Sequence, residues 1–279
     1  MRPVVIAVVS DLHCGSTTAL CPPRIAQDDG GEYLASKPQR WLWQNWLLYW
    51  RRVGAVRKEE KARLLVVING DLTDGGMHHG NTQLVSPNPT SQAAIVDAAL
   101  KIPKALEPDD WLLVRGTDVH TGPSSAYEER VAVGLKKDGE RVIRADITGT
   151  YSHFFWKGEI DGIRMDFAHH GRMGQRPWTK PNVVANLAAE IFHEAAARGE
   201  LYPHLAVRSH QHRYVDTGNI HKTRVIQTPA WQLATAFIHR ISPGAVSDIG
   251  GLIITIKSGR LSVEEVLYAP DPVPVWRPT

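Results

Sequence analysis

The apolar run VVIAVV leads into Asp11 and His13, and LLVVI leads through Asn69-Gly70 into Asp71 and Asp74. WLLV is followed by Arg115-Gly116-Thr117-Asp118-Val119-His120, IRMDFA by His169-His170-Gly171, and LAV by Arg208-Ser209-His210-Gln211-His212. Each of these apolar runs delivers Asp or His just past its end. Carboxylates and imidazoles gathered from separate strand ends are the donor set of a metal centre. Mixed oxygen and nitrogen ligands suit Mn, Fe or Zn better than Ca or Mg. Asp11 and His13 alternate along an extended chain, so both can face one cation, and the same reasoning applies to His210 and His212. Asp71 has two oxygens and can bridge two ions. Two cations about 4 Å apart would clamp an in-line phosphoryl displacement. The flanking glycines let the backbone turn sharply and leave room for a substrate.

The elements that must position these residues alternate in the first half of the chain. Residues 4–9 read as a buried strand, 38–62 as a helix starting at Pro38, and 64–69 as a second strand. Thr90 and Ser91 can cap a helix running toward Leu106, bent or ended near Pro103. Residues 111–115 form a third strand, with SSAYEERVAVGLKK as a capped helix after it. That order implies parallel strands with helices on their faces, and ligands in such sheets bind beyond the carboxyl ends of the strands.

In the second half, two strands flank a turn at Asp161-Gly162, and a helix begins at Pro181 and ends at Gly199. LAVRSH, a hairpin-like pair around Gly218-Asn219, and the strands GLIITI and LSVEEVLY complete the pattern. No repeat or low-complexity linker interrupts it. The expectation is a single domain over 1–279, built as two sheets with helices outside.

Composition narrows the function classes. The chain of 279 residues is 43% hydrophobic and 22% charged, as expected of a globular protein. A formal net charge of +3 permits a nucleic-acid partner without indicating one, since such partners call for a concentrated basic stripe. Two cysteines, Cys14 and Cys21, fit a reducing cytoplasm. No apolar stretch approaches the roughly 20 residues of a membrane span, so no membrane partner is expected. The aromatic run WLWQNWLLYW, 41–50, reads as a helix buried against the sheet.

The motifs DLH (11–13), GDLTD (70–74), the His169-His170 pair and SHQH (209–212), in this order, resemble the calcineurin-like metallophosphoesterase family over about residues 4–230. The resemblance implies an α/β fold: a four-layer α-β-β-α sandwich of two mixed sheets flanked by helices. It implies two divalent metal ions, with Asp11, His13 and His212 holding one, His169 and His210 the other, and Asp71 between them. It further implies hydrolysis of a phosphomono- or phosphodiester by a metal-bridging hydroxide, with Asp74 supporting a histidine from behind. In one place the chain departs from the family. GTDVH, 116–120, stands where the family carries Gly-Asn-His, a variant similar to those encoded by bacteriophages and prophages, which would place the protein in a host cytoplasm. His120 is then the expected acid, with Thr117 or Asp118 near the second metal. A threonine hydroxyl is a poor ligand, so the second site is expected to be weaker or differently built.

Arg172, in the loop after the histidine pair, is the expected phosphate-binding residue among the arginines beside the motifs, Arg115, Arg172, Arg208 and Arg213. Strand-end geometry favours His169 over His170 as the ligand, being the first residue past its strand. His78 and His79 read as a flexible polar loop, and Cys14 as a small buried residue. Two alternatives stand beside the phosphoesterase: a non-catalytic metal-binding module with the same fold, and a nuclease acting on DNA or RNA.

Overall fold

The computed structural model describes residues 2–76, 83–172, 174, 176 and 178–271; His78 and His79 lie outside them. The chain begins with β1 (Val4–Val9), a ribbon of β2 (Arg24–Ala26) and β3 (Glu32–Leu34), α1 (Lys37–Glu60) and β4 (Arg63–Asn69). Next come α2 (Pro89–Lys104), β5 (Asp110–Val114), α3 (Asp118–Thr121), α4 (Ala126–Lys137) and β6 (Ser152–His153). Then follow β7 (Phe155–Ile160), β8 (Ile163–His170), α5 (Lys180–Ala197), β9 (Leu205–Ser209) and β10 (Val215–Asp216). β11 (Arg224–Gln227), α6 (Ala236–Ile241), β12 (Ile249–Lys257) and β13 (Arg260–Tyr268) close it.

Two mixed sheets carry the fold, ordered β13-β12-β1-β4-β5-β6 and β10-β11-β9-β8-β7. In the first, β1, β4, β5 and β6 are mutually parallel and β12 joins β1 antiparallel. In the second, β8, β9 and β11 are parallel, with β7 and β10 antiparallel at the edges. β1 shows why its sequence is apolar throughout. Val4, Ile6 and Val8 face the second sheet, while Val5, Ala7 and Val9 face the outer helices, so both sides of the strand are covered. α1, α2 and α4 cover the outer face of the first sheet, and α5 covers the second through Val184 and Ala188 on Ala206 and Val225. The result is the expected four-layer α-β-β-α order.

α1 starts with a capping box in which Ser36 Oγ accepts from Gln39 N and the Gln39 side chain accepts from Ser36 N. Gln39 is buried and also donates to Ser16 O at 3.0 Å, which ties the helix start to the loop after His13. Trp46, Tyr49 and Trp50 are buried against the sheet, with Trp231 edge-on to Trp46 at 4.8 Å, and the Tyr49 hydroxyl donates to Leu252 O at 2.8 Å. The tryptophan helix therefore buries one face in the core, with Leu47 and Leu48 exposed on the other. No described helix is long and apolar enough to cross a membrane.

Three local expectations change. α2 is capped by Asn88, whose side chain accepts from Thr90 N at 2.8 Å, because Pro89 presets the first helical residue and moves the start upstream of Thr90 and Ser91. α4 lacks the expected cap: Ser125, just ahead of it at φ 53°, makes no side-chain cap hydrogen bond. His169 lies inside β8, which runs on to His170 through a register shift against β9 between Phe167 and His170.

Candidate metal centre

The parallel pairing of β1 and β4 continues past the strands: Asp11 N donates to Gly70 O and His13 N to Asp71 O, both at 3.0 Å. This brings the DLH and GDLTD segments side by side at the carboxyl rim. Asp11, His13, Asp71, His210 and His212 all adopt positive φ, between 43° and 75°. Each such non-glycine residue costs about 1–2 kcal/mol. The strain redirects the side chains. An extended chain would turn His210 and His212 to one cation, but the structure sends them to different groups. Gly70 and Gly116 are required by space: a Cβ at Gly70 would strike the His169 ring, and one at Gly116 the Asp71 carboxylate.

Three groups of donors result among the described residues, Asp11–His13–His212, Asp71–His169–His210 and His13–Asp71–His120, each with one donor atom per residue within 4.8 Å of the others; the first two share no residue and form two separate triads. In the first, His13 Nε2 stands 3.9 Å and His212 Nε2 3.3 Å from Asp11 Oδ1, and the two Nε2 atoms are 3.2 Å apart. In the second, His169 Nε2 is 3.1 Å from Asp71 Oδ2. Asp71 Oδ2 also lies 3.9 Å from His13 Nε2, so this carboxylate touches both triads. Donor atoms bonded at about 2.0–2.2 Å to a common cation stand roughly 3–4 Å apart, which is the spacing of the first triad and of the Asp71–His169 pair, with His210 completing the second triad within the wider 4.8 Å. Asp11 Oδ1 and His169 Nε2 are buried and make no well-aligned hydrogen bond among the described residues, for all their close ionic neighbours. The residues present therefore fit a pair of cations.

Backing groups orient the rings. His13 Nδ1 lies 3.2 Å from Asp74 Oδ1, which also accepts from Gln232 Nε2 at 3.2 Å. His169 Nδ1 donates to Asn69 O at 2.7 Å, turning Nε2 inward. Thr117 N donates to Asp71 Oδ1 at 2.6 Å, and the Thr117 hydroxyl sits 3.4 Å from Asp71 Oδ2 and 3.3 Å from His210 Nδ1. Thr117 thus stands at the second triad. Asp118 is exposed at the start of α3 and contributes to neither triad. His170 is exposed, with its Nε2 3.4 Å from the Thr117 hydroxyl, whereas His169 is buried among the carboxylates. His120 donates from Nδ1 to Asp74 O at 2.9 Å, its ring edge-on to His13 at 4.5 Å.

Asp11, Asp71 and Asp74 are buried together, which forces cationic company. Burial opposes ionisation of Asp11, but His212 and His169 outweigh it and hold the group at about 2. Asp71 is likewise depressed, with His169 overcoming burial. Burial disfavours charge on His169, yet Asp71 drives it up to about 10, and His13 is raised by Asp74 and Asp71 against the same burial. His210 and His120 are pushed down to about 4, by burial first and then by His169 and His13 respectively.

The arginines beside the motifs have partners of their own. Arg172 is exposed and pairs with Glu190 at 2.8 Å, Arg208 with buried Asp166 at 2.8 Å, and Arg213 with Asp248 at 3.5 Å. Arg115 donates to Ser152 Oγ at 2.9 Å and lies over the Phe154 ring. Cys14 and Cys21 are buried free thiols. Sequence reasoning missed Glu128 of α4, fully buried behind Asp71 and pushed up to about 8 by burial and then by the Asp71 charge. It also missed Gln232. Neither adjoins a motif, so no local signal marks them.

No protein-family model and no curated protein matches the chain. Among solved structures, a dimetal phosphatase from Danio rerio overlaps with a TM-score of 0.47 at 10% identity, over 94% of this chain and 95% of its own. Vacuolar Protein Sorting 29 from Cryptosporidium parvum gives 0.45 at 8% identity, over 97% and 100%. A conserved uncharacterised protein, a predicted phosphoesterase, from Streptococcus pneumoniae gives 0.38 at 11% identity, over 96% and 91%. The motifs of this chain resemble those of calcineurin-like metallophosphoesterases, and its architecture is the two-sheet, helix-flanked sandwich that the resemblance implies.

Proposed function

We propose that this protein is a dinuclear metal-dependent phosphoesterase, hydrolysing a phosphomono- or phosphodiester. The observation that carries the reading is the first triad, whose three donor atoms stand 3.2, 3.3 and 3.9 Å apart with buried Asp11 Oδ1 among them. Asp11, His13 and His212 would hold one ion, Asp71, His169 and His210 the other, and Asp71, in reach of both, would join them. Imidazoles outnumber carboxylates, which favours Mn, Fe or Zn. Such a pair of cations supplies Lewis acidity toward phosphoryl oxygens and a nucleophile at neutral pH.

The chain's own residues do the rest. Asp74 holds the His13 ring with Nε2 inward, and the Asn69 carbonyl does the same for His169. Thr117 N grips Asp71 Oδ1, which leaves Oδ2 to face both triads. His120 is assigned to the proton on the leaving-group oxygen. Its Nδ1 is held by the Asp74 carbonyl at 2.9 Å, which leaves Nε2 for that proton. Arg172, held only by an exposed ion pair with Glu190 that costs little to open, would meet a phosphoryl oxygen. The two buried, unpaired cysteines fit a cytoplasmic setting.

Turnover of p-nitrophenyl phosphate and bis-p-nitrophenyl phosphate, with Mn²⁺, Fe²⁺ or Zn²⁺ added to chelator-stripped protein, tests the reading. Metal-dependent release is expected for at least one of the two esters, and silence with every cation counts against an enzyme. A second reading, a metal-binding module without turnover, draws on the Thr117 hydroxyl at the second triad. Binding of one ion with no turnover would favour it.

A further inference from the structure

Four buried polar side chains lie directly beneath the triads. Ser10 follows β1 and Asn69 ends β4, both in the first sheet; Ser209 ends β9 and Thr228 follows β11, both in the second. All four are fully buried. Asn69 Nδ2 donates to Ser209 Oγ at 2.6 Å, Thr228 Oγ1 donates to the same oxygen at 2.8 Å, and Ser10 Oγ lies 2.7 Å from Thr228 Oγ1. Ser10 Oγ also reaches Pro229 O at 3.2 Å, and Asn69 Nδ2 reaches Ala168 O at 3.1 Å. The chain of hydroxyls and amide crosses between the sheets twice, at Asn69–Ser209 and at Ser10–Thr228.

Its members adjoin the ligands. Ser10 precedes Asp11, Ser209 precedes His210, and Asn69 lies two residues before Asp71 while its carbonyl takes the His169 proton. Asp11, Asp71 and His210 sit at φ 51°, 54° and 75°. Non-glycine residues stay in such conformations only where their surroundings over-determine them. Apolar packing between the sheets fixes their separation but has no directional hold on a strand end, whereas hydrogen bonds do. The first triad draws Asp11 and His13 from one sheet and His212 from the other, and the second takes Asp71 from one and His169 and His210 from the other. A relative slip of the sheets by a fraction of an ångström would open both.

We propose that Asn69, Ser209, Thr228 and Ser10 are positioning residues that lock the two sheets in the register at which both triads close on their ions. The inference rests on the metal-centre reading above. Isothermal titration of chelator-stripped protein with Co²⁺, read together with the visible Co²⁺ absorption and the unfolding midpoint of the metal-free chain, tests it. The nearly isosteric Thr228→Val and the small Ser209→Ala should each weaken Co²⁺ binding about tenfold or more and alter the absorption band, while Thr228→Ser, which keeps the hydroxyl, should restore both. Affinities within twofold of the unmodified protein for both losses, with only the unfolding midpoint lowered, would overturn the inference and leave the metal centre standing. Absence of Co²⁺ binding by the unmodified protein would instead overturn the metal-centre reading itself, and this inference with it.

Discussion

The two triads are built alike in donors and differently in support. His13 in the first is backed by a carboxylate, Asp74, itself held by Gln232. His169 in the second is backed by a neutral carbonyl, that of Asn69, and the position beside it is filled by the Thr117 hydroxyl. A carboxylate behind an imidazole raises its basicity and adds negative charge near the cation; a carbonyl fixes orientation with little charge. On the proposed reading, the difference would make the first triad the tighter site and the second the weaker, exchangeable one.

Asp71 reaches into both, so its loss should have the largest effect. Asp71→Asn should lower turnover by at least about a thousandfold, equivalent to several kcal/mol of transition-state stabilisation, in a chain that still folds by circular dichroism. Retained turnover would show that the triads are not joined through it.

Asp74→Asn separates the sites. It should weaken the tighter ion by about 10–100-fold in a calorimetric titration while leaving the second nearly unchanged. Equal weakening of both would erase the distinction.

Acidity acts on the second triad through His169. In the metal-free chain Asp71 raises His169 from its ordinary 6.5 to about 10. A raised folded-state value stabilises the fold fully below 6.5 and loses that contribution as pH climbs through about 10. The metal-free protein should therefore lose stability between pH 7 and pH 10. Over the same interval metal affinity should rise, by up to about tenfold per pH unit, because the ion must displace the His169 proton. Unfolding midpoints with and without Mn²⁺ at both ends of the range check this, and parallel curves would contradict it.

The smallest effect is expected at Thr117. Thr117→Asn offers a better oxygen ligand and should tighten the second ion by roughly threefold to tenfold, narrowing the gap between the sites.

Much of this was legible in the sequence because strands buried on both faces are apolar throughout and end abruptly in polar residues. VVIAVV followed by Asp11 and His13, and LLVVI followed by Asp71, mark both the layers and the rim. The donors of the two triads lie at those ends. What could not be read depends on backbone conformation and distant contacts. Alternation places His210 and His212 together, but positive φ at both residues parts them. β8 runs on to His170, so His169 lies inside the strand and not past its end, and strand-end position does not separate it from His170. Arg172 adjoins the motif and also pairs with Glu190 on α5, a contact that sequence distance conceals. Glu128 and Thr228 reach the site from an intervening helix and a strand end with no motif.

Anomalous scattering from a crystal grown with Mn²⁺ tests the central claim most directly. The account predicts two peaks about 4 Å apart, one bounded by Asp11, His13 and His212 and the other by Asp71, His169 and His210, with the first better occupied at limiting metal. A crystal whose Mn²⁺ lies elsewhere, or which holds none between these residues, would contradict it.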